Sequence, residues 1–556
     1  MTSGAAWFAT PARPSIRFLL AVFLAAAVAA PGLAQEPARA PLPSFDELEA
    51  AGARIGEIRI VPEDMFDLSD PRENNAIYRL ANRLHINTRP EVIRRLLLFE
   101  TGEPLQVRLI EETERLLRAN RFLYDVLIQP IRYENGVVDI EVRTRDTWSL
   151  EPGISVGRAG GHNTGRLGIE EDNMLGTGVS MGVQYRTDVD RSSTEFSIAN
   201  GNALGTRVAV AYSLTKHDDG NAQTFSVIRP FYALDTRWAA GVNGSRNDTI
   251  DALYNNGESV AEYRHQRRQG EVFGGWSPGL RRGWVPRYSL GVMVEQDEYG
   301  PADGQPQPVR LPTDITLAGP FLRFELVEDA FRKDTNLNSI GRVEDVSMGV
   351  QARVQVGRSL GAFGGNRELW MYSAGVSDGF DVTRNSILLT SWNAGGRFAG
   401  GQSENQTLGG SARYYHRQGR HLLYYASASA DAAHDPDVPG PLTLGGDNGL
   451  RGYPLRYQAG ERRALMTLEA RAYSDWYPLR LIRVGGAVFY DVGRAWRGEN
   501  VNRTNPGWLS DVGFGLRFLN ARTTFGNVLH ADVAFPLDRE GDIKSVQFVV
   551  RTKIAL

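Results

Sequence analysis

The stretch DVGFGLRFLNARTTFGNVLHADVAFP (511–536) decides the fold. Val512, Phe514, Leu516 and Phe518 alternate with Asp511, Gly513, Gly515 and Arg517. After a turn, Leu529, Ala531, Val533 and Phe535 alternate with Val528, His530, Asp532 and Ala534. A period of two sends alternate side chains to opposite faces of a strand, here one greasy face and one polar or small face. The same reading holds at 178–187, where Val179, Met181, Val183 and Tyr185 share a face, and at 207–214, with Val208, Val210, Tyr212 and Leu214. It recurs through 147–556 in about twenty segments of roughly ten residues, separated by Gly/Asp/Asn/Pro-rich turns. The 60 glycines in 556 residues suit so many tight turns.

Alternation alone fits a soluble β-sandwich as well as a barrel in lipid. Three features favour the barrel. The segments match the 9–11 residues of a tilted membrane strand. Residues 1–34 read as a secretory signal peptide, with Arg13 and Arg17 before the apolar Phe18–Ala30 and cleavage expected before Gln35. Val546, Phe548, Val550, Ile554 and Leu556 also share one face up to the last residue, as a closing strand requires. No later run of 18 apolar residues exists, so a spanning protein must close its backbone as a barrel. Trp276, Trp284, Trp476, Tyr477 and Trp496 are candidates for interfacial aromatic girdles. Connections alternate between short turns such as Ala233-Leu234-Asp235 and longer loops, with 298–312 and 432–460 the longest candidates for the outer face.

Residues 35–54, with Pro37, Pro41 and Pro43, read as a disordered leader, and 55–146 as a small α+β domain. A strand at 55–61 is ended by Pro62. Ile77, Leu80, Ala81 and Leu84 share a helical face. A second helix begins at Pro90 and runs to Gly102, and a third covers 105–119. Strands near 126–133 and 137–144 meet at Asn135-Gly136, a hairpin signal. GEPLQVRLIEETERLLRANRFLYDVLIQ (102–129) and GVVDIEVRTRDTWSL (136–150) resemble a polypeptide-transport-associated (POTRA) domain. The resemblance implies a periplasmic module that receives extended clients on a sheet edge; a rigid plug or spacer is the other reading.

The segment LTLGGDNGLRGYPLRYQAGERRALMTLEARAY (442–473) carries the functional candidates. Gly449 and Gly452 flank Leu450-Arg451, with Tyr453 following, so the backbone can fold tightly around one charge. In VGGAVFYDVGRAW (484–496), parity turns Val488, Tyr490 and Val492 outward and Phe489, Asp491 and Gly493 inward. Gly493 leaves clearance beside Asp491 for a guanidinium. Glu469 and Arg471 share a face in the preceding strand. Either the loop folds into the bore and Arg451 docks on Asp491, or Arg451 stays exposed and Asp491 pairs locally.

GLRGYP (449–454), FYDVGRAW (489–496) and the early LGIEEDNMLGTG (167–178) resemble the BamA/TamA superfamily of outer-membrane proteins, bacterial surface-antigen barrels whose relatives include two-partner secretion translocators. The resemblance covers 55–556. It departs in offering a single transport-associated domain and in ending on Leu556 rather than an aromatic. It implies a mainly β fold: a transmembrane antiparallel barrel of 16 strands at 147–556 in the outer membrane of a Gram-negative cell, behind one periplasmic α+β domain. The implied function is assembly or export of client polypeptides, with outer-membrane lipid and periplasmic accessory proteins or chaperones as partners. A weak seam between the first strand (Gly153, Gly157) and the last (Phe548, Val550) would open for clients. A passive porin-like channel and a dedicated two-partner translocator are the alternatives. An enzyme is not expected: no nucleophile–base signature is present, the eight His have no metal-ligand spacing, and no cofactor or metal is implied. A net charge of −3 gives no pull toward nucleic acid.

Overall fold

The computed structural model describes residues 42–496, 507–523, 528–539 and 543–553. The signal peptide at 1–34, Ile554 and Leu556 lie outside the described residues.

Structure begins earlier than the sequence suggests. Ser44 caps α1 (Phe45–Ala50) through a capping box in which Glu47 accepts the Ser44 N–H at 2.8 Å and donates its own N–H to Ser44 Oγ at 3.3 Å. The helix buries Leu48 in the domain core, so the second half of the expected disordered leader is part of the domain. β1 (Arg54–Glu63) follows, then α2 (Ala76–Leu84), α3 (Pro90–Arg94), α4 (Val107–Arg118), β2 (Leu123–Glu134) and β3 (Val137–Asp146). β3 is central, parallel to β1 and antiparallel to β2. β1 runs through Pro62 because it is an edge strand, where a missing N–H costs no ladder bond. The β2–β3 turn holds Asn135 and Gly136 at φ 51° and 78°, as a two-residue hairpin demands.

Ile58, Ile93, Ile110, Leu117, Ile128 and Ile140 lie in the core between sheet and helices. α3 is only five residues long, and Leu97 and Phe99 reach the core from irregular chain beyond it. The apolar stripe of α2 is turned out of the domain: Tyr78 is its buried residue, stacked on Phe66 at 4.1 Å, while Ile77, Leu80 and Leu84 are exposed.

From β4 (Leu150–Ala159) to a last strand at Gln547–Lys553, twenty strands close into one antiparallel barrel. The expectation of sixteen is overturned: twenty strands pair round the ring, the number of segments the alternation suggests, and the short hairpins stand apart from it. The neighbouring strands Trp238–Asn255 and Glu258–Trp276 are far longer than a bilayer crossing and overhang one rim. Closure pairs the strands within the wall, and the outward residues are apolar, among them Val272, Leu322, Val488 and Phe514. Among the described residues no helix is long and apolar enough to cross a membrane. Of the five girdle candidates, Trp276 and Trp476 stand exposed at strand ends. Trp284 is half-buried, Tyr477 lies under the Arg483 guanidinium at 3.8 Å, and Trp496 packs on Trp508.

The N-terminal domain covers one mouth of the barrel. Arg522 donates to Glu73 at 2.6 Å, Asn173 to Thr88 at 2.8 Å, Arg207 to the Leu97 carbonyl at 2.8 Å and Leu234 N–H to Glu112 at 2.8 Å. The quoted segment 167–178 thus ends in the turn that meets α3, and Ala233-Leu234-Asp235 in the turn that meets α4. One connection on this side is long, against the expectation of short turns there. Residues 329–350 carry a hairpin of Phe331–Thr335 and Val343–Ser347 that lies off the ring. Its tip enters the bore, where Leu337 packs on Ile387, Tyr415 and Leu423. Its base is held by α4 through a two-pronged Arg118–Asp345 pair at 2.8 Å and Lys333–Glu114 at 2.6 Å.

A closed barrel resists detergent until heated, so purified protein is expected to migrate differently on a denaturing gel before and after boiling. Identical mobilities contradict the closed ring.

Candidate functional site

The long connection at the opposite rim folds inward rather than outward. Leu442–Leu444 and Gln458–Gly460 pair as a two-stranded base, and the residues between them descend into the bore. The turn is built locally: Asn448 accepts the Gly445 N–H at 2.7 Å and donates to the Thr443 carbonyl at 2.8 Å. Leu450, Tyr453 and Leu444 then pack with Ala495 and Leu509 of the wall.

Arg451 is 1% exposed. Its Nε and Nη2 donate to the two oxygens of Asp491 at 2.6 and 2.9 Å, and Nη1 reaches Glu469 at 2.8 Å and Asp532 at 3.3 Å. The guanidinium lies 3.4 Å from the centre of the Phe489 ring, so Phe489 forms the floor and carboxylates the sides. Thr467 donates to Asp491 at 2.7 Å, Arg471 to Glu469 at 2.7 Å, and Arg517 to Asp532. Four buried carboxylates, Glu469, Asp491, Asp511 and Asp532, thus face three buried guanidiniums from Arg451, Arg471 and Arg517. Withdrawing Arg451 would take from Asp491 both of its guanidinium hydrogen bonds.

The neighbours of Arg451 are set by space. Gly452 presses on the wall so closely that a Cβ there would lie 2.7 Å from Asp511 Cβ and 3.0 Å from Pro536 N. Its N–H donates to Asp511 at 3.0 Å. Tyr453 donates its hydroxyl to the Ser510 and Asp538 carbonyls at 2.8 and 3.1 Å. Gly449 abuts Leu465. Gly493 does not make room for the guanidinium: a Cβ there would strike Leu444, so its clearance seats the base of the loop. On the other side of the bore, Arg456 makes a two-pronged pair with Asp190 at 2.6 and 2.7 Å, which holds that carboxyl below its ordinary range. The loop therefore spans the bore, and beyond it the far rim opens on a cavity of about 1640 Å³.

Two parts of this arrangement were not assigned from sequence. Asp511 and Asp532 lie on the polar parity of the very stretch that decides the fold, and that parity was the signal for them. The hairpin tip donates nothing to Arg451 directly, yet its Leu337 carbonyl accepts from Arg471 at 2.9 Å and Asn338 accepts from Tyr415 at 3.0 Å. Arg471 thus joins the hairpin to Glu469, which Arg451 reaches from the other end.

The first and last strands meet differently from every other pair. Val550 and Arg158 are their one registered pair among the described residues. The last strand makes seven with its other neighbour and β4 makes ten with its own. A Cβ on Gly157 would lie 3.1 Å from the Val550 carbonyl, so glycine permits this approach. Gly153 lies further along β4, where it pairs with Gly168 on its other side, and Phe548 points outward.

No protein-family model matches the chain. Among solved structures, BamA from Haemophilus ducreyi lacking POTRA domains 1–3 is 14% identical, over 90% of this chain and 84% of that one, with a TM-score of 0.38. CdiB from Acinetobacter baumannii is 14% identical over 90% and 73%, with a TM-score of 0.42. CdiB from Escherichia coli is 12% identical over 91% and 77%, with a TM-score of 0.45.

Removing one partner of a buried, hydrogen-bonded pair costs about 3–5 kcal/mol. Arg451→Ala and Asp491→Asn are each expected to lower stability on that scale, with a coupling above about 1 kcal/mol in a double-mutant cycle of urea unfolding. Arg451→Ala combined with Arg471→Ala is expected to be non-additive as well, through Glu469. Additive effects in both cycles contradict the shared cluster.

Proposed function

We propose that this chain is an outer-membrane barrel that inserts or exports client polypeptides, with its N-terminal domain in the periplasm. The observation that carries the reading is the pairing of a blocked bore with a nearly unpaired wall. An inward loop and a hairpin enter the bore from opposite ends, which obstructs a passive aqueous pore. Among the described residues the wall between β4 and Gln547–Lys553 is registered at the single pair Val550–Arg158. Each ladder hydrogen bond contributes about 0.5–1.5 kcal/mol net in water and more in lipid, so this seam is the place where the barrel opens most cheaply. An opened seam exposes two strand edges that can template a client strand by backbone bonding, which tolerates any client sequence.

In this reading Arg451, Gly452 and Tyr453 hold the loop against the wall that ends at the seam. Asp491, Asp511 and Asp532 sit on three consecutive strands, Ile482–Trp496, Leu509–Asn520 and Val528–Pro536, the last of which neighbours the closing strand. The loop thus braces the wall beside the strand that must move. The N-terminal domain, covering the mouth through α3 and α4, receives clients and delivers them to the seam. Clients supply the driving energy through their own burial and hydrogen bonding, with no nucleotide.

The chain has no cysteine, so a disulfide between Arg158→Cys and Val550→Cys would be the sole crosslink. Oxidised protein is expected to stop supporting client transport in cells and to recover on reduction; transport unchanged by the crosslink overturns the seam mechanism. Clients are identified by comparing outer-membrane and culture-fluid proteomes with and without the gene. Loss of many barrels marks assembly, and loss of one secreted protein marks a dedicated translocator.

In planar bilayers the wild type is expected to give small, erratic conductance. Arg451→Ala with residues 331–347 replaced by a short Gly/Ser turn is expected to give larger steps. Large, steady wild-type conductance favours a porin.

A further inference from the structure

α2 presents an apolar stripe that the domain does not use. Ile77, Leu80 and Leu84 are 74%, 51% and 63% exposed, although they repeat at the helical spacing that usually marks a core face. The helix is fixed from its other side. Tyr78 stacks on Phe66 and donates its hydroxyl to the carbonyl of Leu479, in the turn between barrel strands Arg462–Tyr473 and Ile482–Trp496. That turn is itself apolar and open, with Leu479 71% and Trp476 66% exposed. Above it the same strands turn Leu468 and Val488 outward. The exposed stripe thus sits on a helix tied directly to an exposed apolar turn at the rim of the barrel's outer band. Arg79 and Arg83 lie on the polar side of α2, next to the stripe, where guanidiniums meet phosphates at a bilayer surface.

From this placement we propose that α2 is an interfacial helix: it lies in the plane of the membrane leaflet facing the N-terminal domain, with Ile77, Leu80 and Leu84 among the acyl chains. The proposal rests on the barrel spanning a bilayer but not on client handling. A helix so placed anchors the domain beneath the barrel independently of the polar ties to α3 and α4. Tryptophan at the level of Trp476 marks the boundary at which such a helix floats.

The test uses the full chain with single cysteines, since none is native. Leu80→Cys, Glu49→Cys on exposed α1 and Val488→Cys on the barrel surface are labelled with a small fluorophore in phosphatidylethanolamine/phosphatidylglycerol vesicles. Lipids bearing a nitroxide on the acyl chain and aqueous iodide serve as the two quenchers. Lipid quenching at Leu80 at least twofold above that at Glu49 is the expected result. A Leu80 label quenched like Glu49, by iodide alone, overturns the proposal. A label shielded from both quenchers also overturns it, because protein, such as a second copy of the chain, then covers the stripe. Val488 reports separately: failure of lipid quenching there removes the bilayer-spanning barrel itself.

Discussion

A positive charge buried inside a barrel must be matched by carboxylates, and that constraint organises the structure around Arg451. At 1% exposure the guanidinium has exchanged water for Asp491, Glu469 and Asp532. Such clusters add little net stability, because desolvation offsets most of the attraction. What they supply is position, since a buried ion has few places to go. The loop is therefore not loosely folded into the bore. One side chain ties it to three strands of the wall, Arg462–Tyr473, Ile482–Trp496 and Val528–Pro536, and the close fit of Gly452 against Asp511, on the strand between the last two, sets the depth.

The ring and its seam follow from the same accounting of polar groups. Nineteen of the twenty junctions are laddered along much of their length, which is what a lipid-facing wall requires. The remaining junction is registered at Val550 and Arg158 alone among the described residues. The loop docks on the strands that lead to that junction, and the hairpin tip reaches Leu519 and Val528 beside it, although the hairpin's base leaves the ring on the opposite side. Rigid bracing and a weak edge are placed next to each other.

Sequence exposes whatever repeats and hides whatever depends on partners far along the chain. Alternation made each strand legible, and Asn135-Gly136 made the domain hairpin legible, because both are local. Parity separated Asp491 from Val488 for the same reason. The strand number was harder: the segment count pointed to twenty and the family resemblance to sixteen, and only pairing decides which segments join the ring. α2 shows the converse limit. Its spacing announced an amphipathic helix, but which face is buried was set by Tyr78 meeting Phe66 and a barrel turn some 400 residues away. The hairpin at 331–347 was unreadable as a plug, since its two five-residue strands, FRKDT and VEDVS, are too short and polar to carry an alternation.

Glu469 and Arg471 join the two plugs through one buried network. Its two oxygens are divided between Arg451, arriving from the far rim, and Arg471, which holds the hairpin tip arriving from the domain side. Withdrawing the loop takes Arg451 from Glu469, whereas withdrawing the hairpin leaves Arg471 beside Glu469 on the same strand and removes only the Leu337 carbonyl that Arg471 donates to. A buried donor that loses its acceptor costs about 1–3 kcal/mol, so the hairpin tip and the loop are held by one buried network. α4 grips the base of the same hairpin through Arg118 and Glu114. A chain of side-chain contacts thus runs from α4 through the hairpin and Arg471 to the carboxylate that Arg451 shares, with no change in the wall needed to connect them.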